Sequence, residues 1–418
     1  METAIHKPEL LAPAGDSEKL RVALAYGADA VYIGGQDFSL RARAGNFSIE
    51  EVARAVNYTH ALGKKLYVAV NVFAHNSDIE RLPAYLKLLK EAAPDGLIVS
   101  DLGVFTLAQQ YAAGLPLHIS TQANTVNWQS AAMWKNLGAE RVILGRELTL
   151  TEAAQISALA GIDTEIFIHG AMCMAYSGRC LLSNYLVFRD ANRGDCAQPC
   201  RWRYALQEEK RPGEFWPIEE DERGGYILNS RDLCLIEVLP QIIAGNIAAL
   251  KIEGRNKSAY YIANITRIYR AAIEDAVTKK ENYTVKREWQ QEIAKVSHRE
   301  YTMGFALGSP GVQSMRYESS DPVRGYDFVA LALAIEQGYL LLRQHNHFAP
   351  GDTLELLLPQ GGEIDLKVNE LFDSAGESIA AAAHPAMMVY LPLTAQQQQA
   401  LSYYKPPLVL RRAVRGPN

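Results

Sequence analysis

A chain of 418 residues, 48% of them apolar and 21% charged, is long enough for two or three packed domains and is not a disordered polymer. Its 42 basic and 47 acidic residues leave a formal charge of −5, which argues against a surface that binds nucleic acid all over but allows a local basic patch. Five cysteines are too few for a secreted disulfide scaffold, and four of them fall inside 28 residues, a spacing that reads as a cytosolic metal site. The first ten residues lack the apolar core of a signal peptide, and no apolar run approaches the ~20 residues of a membrane span. The chain is therefore read as cytoplasmic, with no membrane partner.

Eight short apolar runs, each bounded by Gly, Pro, Asn or Asp, predict buried parallel strands at Leu10–Ala14, Ala30–Gly34, Leu66–Val70, Leu97–Ser100, Leu117–Ser120, Val142–Gly145, Glu165–Ile168 and Ala249–Ile252. Helical patterns lie between them, as at Ser48–Leu62, where Val52, Ala55 and Val56 repeat at helical spacing behind a Ser48–Glu51 capping box. Asp16 opens the first helix in the same manner. Eight strand–helix units predict a (βα)8 TIM-barrel-like α/β domain over residues 1–280, with a doubly wound open sheet as the competing fold. No GxGxxG follows the first strand and no GxxxxGK[ST] occurs, which removes the usual nucleotide-binding readings.

Side chains just past the strand ends are the second reason to expect a barrel, whose active sites sit on that face. Asn71 is one such exit residue; Gln122, Asn124, Arg146, Glu147, His169, Glu253 and Arg255 are polar groups that turn chemistry alone does not demand, whereas Asp16 and Asp101 read as helix caps. Successive strands begin 20 to 36 residues apart until the last step, which takes 84. This excess is an insertion on the active-site face, about residues 171–230, and its span between strands seven and eight holds every cysteine.

The spacing is Cys173-x6-Cys180-x15-Cys196-x3-Cys200, with Cys234 further on in what reads as the start of an amphipathic helix. Four thiols in one loop suit tetrahedral zinc or an iron–sulfur cluster, and the wide first pair favours the cluster. Cys234, among Leu233, Ile236 and Val238, reads as core.

The stretch Glu165-x-Phe167-x-x-Gly170–Ala171–Met172–Cys173-x4-Gly178-x-Cys180-x-Leu182–Ser183 resembles the signature of the collagenase-like peptidase family U32. Pro8–Gly15, Gly27–Tyr32, Asn229–Leu233 and Lys251–Arg255 also look like landmarks of that family, so the resemblance spans nearly the whole chain. It is nearest the branch concerned with tRNA wobble-uridine hydroxylation, through His169–Ser183, Pro199–Trp202 and Glu300–Phe305. The resemblance implies a 4Fe–4S cluster on Cys173, Cys180, Cys196 and Cys200, with Cys234 as an alternative fourth ligand. It also implies oxygen-independent conversion of the wobble uridine to 5-hydroxyuridine with prephenate as co-substrate. Partners would be the tRNA anticodon region, that small dicarboxylate, and an electron donor or iron–sulfur assembly proteins.

On this reading Asn71, Gln122, Asn124, Arg146, Glu147 and Arg255 would line the substrate site, the arginines pairing with the dicarboxylate or with Glu147 and Glu253. His169 and Glu253 are the catalytic candidates, with His169 either moving a proton or holding the cysteine loop. Residues 179–203 carry five arginines against two aspartates, interleaved with Tyr185, Phe188 and Trp202. Arg189, Arg193, Arg201 and Arg203 are accordingly the candidate RNA contacts, and residues 208–222 an acidic exposed linker. A peptidase-like hydrolase is the alternative, though neither HExxH nor GxSxG is present. A non-catalytic RNA-binding protein with structural zinc is the third reading.

Past the barrel, residues 281–325 read as a linker, with a helix over Glu281–His298 and a Gly/Pro/Ser connector over Gly304–Gly325. From residue 326 the pattern changes to five strand-like runs with spaced turns, predicting a small antiparallel β-barrel over residues 326–418. His345–His347 reads as a turn, and the arginine-bearing tail Leu410–Arg415 as an RNA contact or an ordinary soluble end.

Overall fold

The structure is a computed structural model and describes residues 7–40, 45–173, 175–176, 179–202, 206–207, 215–216, 231–308 and 325–414. Its first strand is paired with the last strand of the N-terminal run, Leu10 opposite Leu250, and that pairing closes a barrel and excludes the open sheet. The eight strands are β1 (Glu9–Pro13), β2 (Ala30–Gly34), β3 (Lys65–Val70), β4 (Gly96–Val99), β5 (Leu117–Ile119), β6 (Arg141–Ile143), β7 (Asp163–Ala171) and β8 (Ala249–Ile252). Each is parallel to its neighbours, and β8 pairs with both β7 and β1. All eight coincide with predicted runs to within a few residues.

Helices α1 (Ser17–Ala25), α2 (Ile49–Ala61), α3 (Asn76–Ala92), α4 (Leu102–Tyr111), α5 (Trp128–Asn136) and α6 (Leu150–Ala160) follow the first six strands. Their starts are fixed as the sequence suggests: Asp16 accepts from the Lys19 N–H, Asp101 from the Val104 N–H, and Ser48 with Glu51 forms a reciprocal capping box.

After β7 come a short helix, α7 (Leu182–Val187), and a return strand, Asp232–Cys234, which runs antiparallel to the end of β7 with Cys234 opposite His169. The helix start expected around Cys234 is thus a strand, because the extended end of β7 offers free backbone groups there. A 3-10 turn follows at Ile236–Val238 and runs into α8 (Leu239–Ala244). The acidic stretch 208–222 lies outside the described residues, apart from the two-residue strand Phe215–Trp216.

The barrel interior carries charge as well as apolar side chains. Fully buried Glu165 of β7 accepts from Lys251 Nζ of β8 at 2.8 Å and from Arg141 Nη1 of β6 at 3.4 Å. Arg141 also reaches Glu9 of β1 at 2.7 Å, and Tyr67 of β3 donates to the same carboxylate at 3.0 Å. Strands β1, β3 and β6 are not neighbours, so these contacts can meet only inside the barrel. Burial alone would disfavour the Arg141 guanidinium, but the Glu165 and Glu9 carboxylates outweigh it and raise its pKa. His118, against the Tyr67 ring, is held neutral by burial and by Arg141.

Helix α9 (Ala259–Lys279) packs across β1 and α1, and α10 (Arg287–Lys295) packs on α9. The helix predicted over 281–298 is this shorter one, and Tyr301–Thr302 then adds a strand beside Asp232–Cys234. The C-terminal domain is a six-stranded antiparallel half-barrel, including all five predicted runs and a sixth strand, Leu408–Ala413, where a tail was expected. Arg411 on that strand is fully buried and bound to Glu292 and Glu355, and Arg412 binds Asp352. These two arginines are therefore unavailable for RNA contact, and Arg415 lies outside the described residues. His345, in the predicted turn, stacks on Phe328 and pairs with Glu18.

Tyr26, wholly buried at the end of α1, joins the two domains: its hydroxyl donates to Leu357 O and accepts from the Val409 N–H, both at 2.8 Å. Tyr26→Phe leaves both backbone groups unpaired and is expected to lower stability by about 1–3 kcal/mol. Urea denaturation of the full chain measures it; a change below a few tenths would show that the hydroxyl does not join the domains.

Candidate active site at the barrel mouth

The mouth is polar because the residues leaving the strands hydrogen-bond to one another. Asn71, after β3, donates to Gln122 Oε1 at 3.3 Å, and its Oδ1 accepts from the Leu40 N–H at 3.2 Å. Ser100 Oγ donates to the Asn71 carbonyl at 3.0 Å, so β3, β4 and the turn after β5 share one network. Asn124 takes a left-handed backbone (φ 56°) and donates to the Tyr176 carbonyl of the cysteine loop.

Arg146 leaves β6 and lies over the Phe167 ring, 3.9 Å from its centroid. It donates to Ala171 O at 3.1 Å and stands 3.7 Å from the Glu253 carboxylate. Arg146 thus pairs across strands with Glu253 at the mouth. Glu147 lies towards the cysteine loop, where, after burial, its charge helps raise the Tyr176 phenol. Arg255 is buried and donates to Leu40 O at 2.9 Å and to Asn46 Oδ1. It passes so close to β2 that a Cβ on Gly34 would fall 2.1 Å from its Nη2, so any side chain there would displace the guanidinium. Both arginines therefore brace the mouth through bonds already made.

His169 is buried among Tyr261, Tyr269 and Tyr301. The Tyr269 hydroxyl donates to Ile168 O at 2.9 Å, so it accepts from His169 Nδ1 at 3.3 Å, which places the imidazole proton on Nδ1. Burial, then the nearby Lys257 and His298, lowers its pKa to about 3 and keeps it neutral at physiological pH. Among the described residues its buried Nε2 has no hydrogen-bond partner. In this setting His169 braces the point where the cysteine loop leaves the barrel. The ring of tyrosines from α9 and the Tyr301 strand had no local signal in the sequence.

Cys173 is exposed just after β7, while Cys180, Cys196 and Cys200 are half-buried, and among the described residues none of them forms a disulfide. Asn192 clamps the backbone at Cys180, accepting from its N–H and donating to its carbonyl. Cys196 Sγ accepts from the Gln198 N–H at 3.3 Å. The donor set fits a thiolate-bound metal centre in kind and number. As they lie, no three His, Cys, Asp or Glu side chains among the described residues gather closely enough to hold an ion. Cys234 has a different environment: its thiol is 3.7 Å from the Tyr269 hydroxyl, and burial pushes its pKa up.

Two loop arginines are held in ion pairs. Arg193 forms a bidentate pair with Asp78 of α3, and Arg189 pairs with Asp195 at 2.7 Å. Arg179 donates to the Gln122 carbonyl at 3.0 Å and lies over Phe73. Arg201 lies in a short 3-10 turn, and Arg203 lies outside the described residues. No helix among the described residues is long and apolar enough to cross a membrane.

The sequence model of Peptidase family U32 matches residues 15–316, and that of the Peptidase family U32 C-terminal domain matches residues 324–402. The chain belongs to peptidase family U32. Among U32 relatives, tRNA hydroxylation protein P1 of Bacillus subtilis (strain 168) is 39% identical over 389 residues, covering 93% of this chain and 92% of that protein. The tRNA hydroxylation protein P of Escherichia coli (strain K12) is 39% identical over 429 residues, with 93% and 94% covered. A 23S rRNA 5-hydroxycytidine synthase of the same Escherichia coli strain is 35% identical over 280 residues, covering 67% of this chain and 41% of that protein.

Proposed function

We propose that this U32 protein is an RNA-modifying enzyme that hydroxylates tRNA, converting the wobble uridine to 5-hydroxyuridine with prephenate as the hydroxyl source. The observation that carries the reading is similarity over more than nine-tenths of both chains to proteins named for tRNA hydroxylation. The rRNA 5-hydroxycytidine synthase supports the same chemistry, hydroxylation at C5 of a pyrimidine.

Cys173, Cys180, Cys196 and Cys200 would hold a 4Fe–4S cluster, whose chemistry when bound is one-electron transfer. An electron donor and the iron–sulfur assembly proteins are the partners this implies. The mouth residues would bind the small dicarboxylate, with the Arg146–Glu253 pair opening to admit it and the Asn71–Gln122 network orienting it. His169, neutral and walled by tyrosines, holds the strand from which the loop departs. The wobble base stands in an unpaired loop, so presenting it at the mouth does not require opening a duplex.

Nucleoside mass spectrometry of tRNA from cells lacking the gene, with any oxygen-dependent route also removed, tests the proposal. Loss of 5-hydroxyuridine and its derivatives is expected, restored by the intact gene. Unchanged levels would refute it.

A further inference from the structure

Two aromatic side chains beside the cysteine loop stand almost wholly in solvent. Tyr185 in α7 is 84% exposed and Phe188, its C-terminal cap, is 92% exposed. Side chains of this size normally bury most of their surface, and two of them three residues apart on one short helix form a surface that the described residues leave uncovered.

The platform beneath them is rigid. The Phe188 N–H bonds the Asn184 carbonyl at 2.9 Å, and the Arg189 N–H follows to Ser183 O. Ser183 is buried, and its hydroxyl accepts from the Ala197 N–H at 2.9 Å. The loop is also fastened to the mouth at two places. Arg179 and Tyr176 bond to the turn after β5, while Asn192 and Arg193 bond to Phe73 and Asp78 beyond β3. The exposed rings are therefore held at a fixed position relative to the polar mouth.

We propose that Tyr185 and Phe188 are a stacking platform for unpaired nucleobases flanking the base presented to the mouth. The inference rests on the RNA reading above and adds to it which residues receive the strand. Nucleobases fit better than an apolar protein face because the rings sit in a cationic segment, five arginines against two aspartates over 179–203. Sequence-tolerant single-strand binding combines these two elements, aromatic faces for stacking and cations for the backbone. The core of a protein interface is instead depleted of charge. Arg189 and Arg193, already paired with Asp195 and Asp78, would shape and fasten the platform more than bind phosphate, which leaves the exposed Arg179 as the better-placed cation.

The test uses the full-length protein, a synthetic RNA hairpin with a uridine-containing unpaired loop, and a fully paired duplex of the same length. The unaltered protein should prefer the hairpin. Y185A/F188A should weaken hairpin binding by about 10- to 100-fold, leave duplex binding and the salt dependence unchanged, and recover largely in Y185F/F188W. Both side chains are solvent-exposed, so an unchanged thermal melt is expected and serves as the folding control. Equal hairpin affinity for the double variant and the unaltered protein would overturn the platform while leaving the RNA reading intact. Failure of the unaltered protein to bind either RNA would remove both. Concentration-dependent dimerisation abolished in Y185A/F188A would assign the face to a second copy of the chain and likewise overturn the proposal.

Discussion

Glu165→Gln is expected to destabilise the barrel by about 3–5 kcal/mol, the cost of breaking a buried ion pair from one side. Glu165 is fully buried, and Lys251, its partner at 2.8 Å, is nearly so. Removing the carboxylate charge leaves the Lys251 ammonium in the barrel interior, flanked by the Tyr32 and Phe167 rings. Ring faces supply roughly 0.5–2 kcal/mol to a cation, less than its desolvation costs. Arg141 is affected less, because it retains Glu9 at 2.7 Å. The second arm is decisive: Lys251→Met in the Glu165→Gln background should recover most of the loss, so the two changes will be strongly non-additive. Denaturant unfolding of the three variants measures this. A Glu165→Gln cost below about 1 kcal/mol, or additive losses in the pair, would mean that water already reaches these charges.

The same residues show what could and could not be read from the sequence. The strands were legible because each buried run is short, apolar and closed by turn residues, and Ser48, Asp16 and Asp101 marked their helices through cap chemistry that depends only on neighbours. The oversized step between β7 and β8 located the insertion for the same reason. Glu165 and Lys251, though both lie inside predicted strands, were not recognised as an interior pair, because the strand that places one against the other arrives 86 positions later. A charged residue within a run expected to be buried on both faces is the signal that could have found them. The sequence offers Glu147 and Glu253 alike as mouth partners for the arginines, and barrel closure is what brings Glu253 to Arg146. The strand at Cys234 and the buried Arg411 of Leu408–Ala413 depend on sheet partners far along the chain, which local periodicity does not report.

Cys200→Ala is expected to abolish the metal centre and Cys234→Ala to spare it, with the difference visible in iron and sulfide content. Anaerobically purified protein should be brown and carry about four irons and four sulfides per chain. Cys173→Ala, Cys180→Ala, Cys196→Ala and Cys200→Ala should each reduce that content to near background. The surroundings of these thiols differ. Cys196 and Cys200 are half-buried in a polar loop, with a backbone N–H already directed at the Cys196 sulfur. Cys234 faces the Tyr269 hydroxyl with its pKa raised by burial, and its backbone is paired in register with His169. To serve as a ligand it would have to ionise where burial opposes charge and abandon that strand pairing. Cys234→Ala should therefore cost only about 1–2 kcal/mol, as for a small core side chain cut back, with iron unchanged. Loss of iron in Cys234→Ala with retention in Cys200→Ala would reassign the fourth ligand, and a colourless protein holding one zinc would replace the cluster with a structural site.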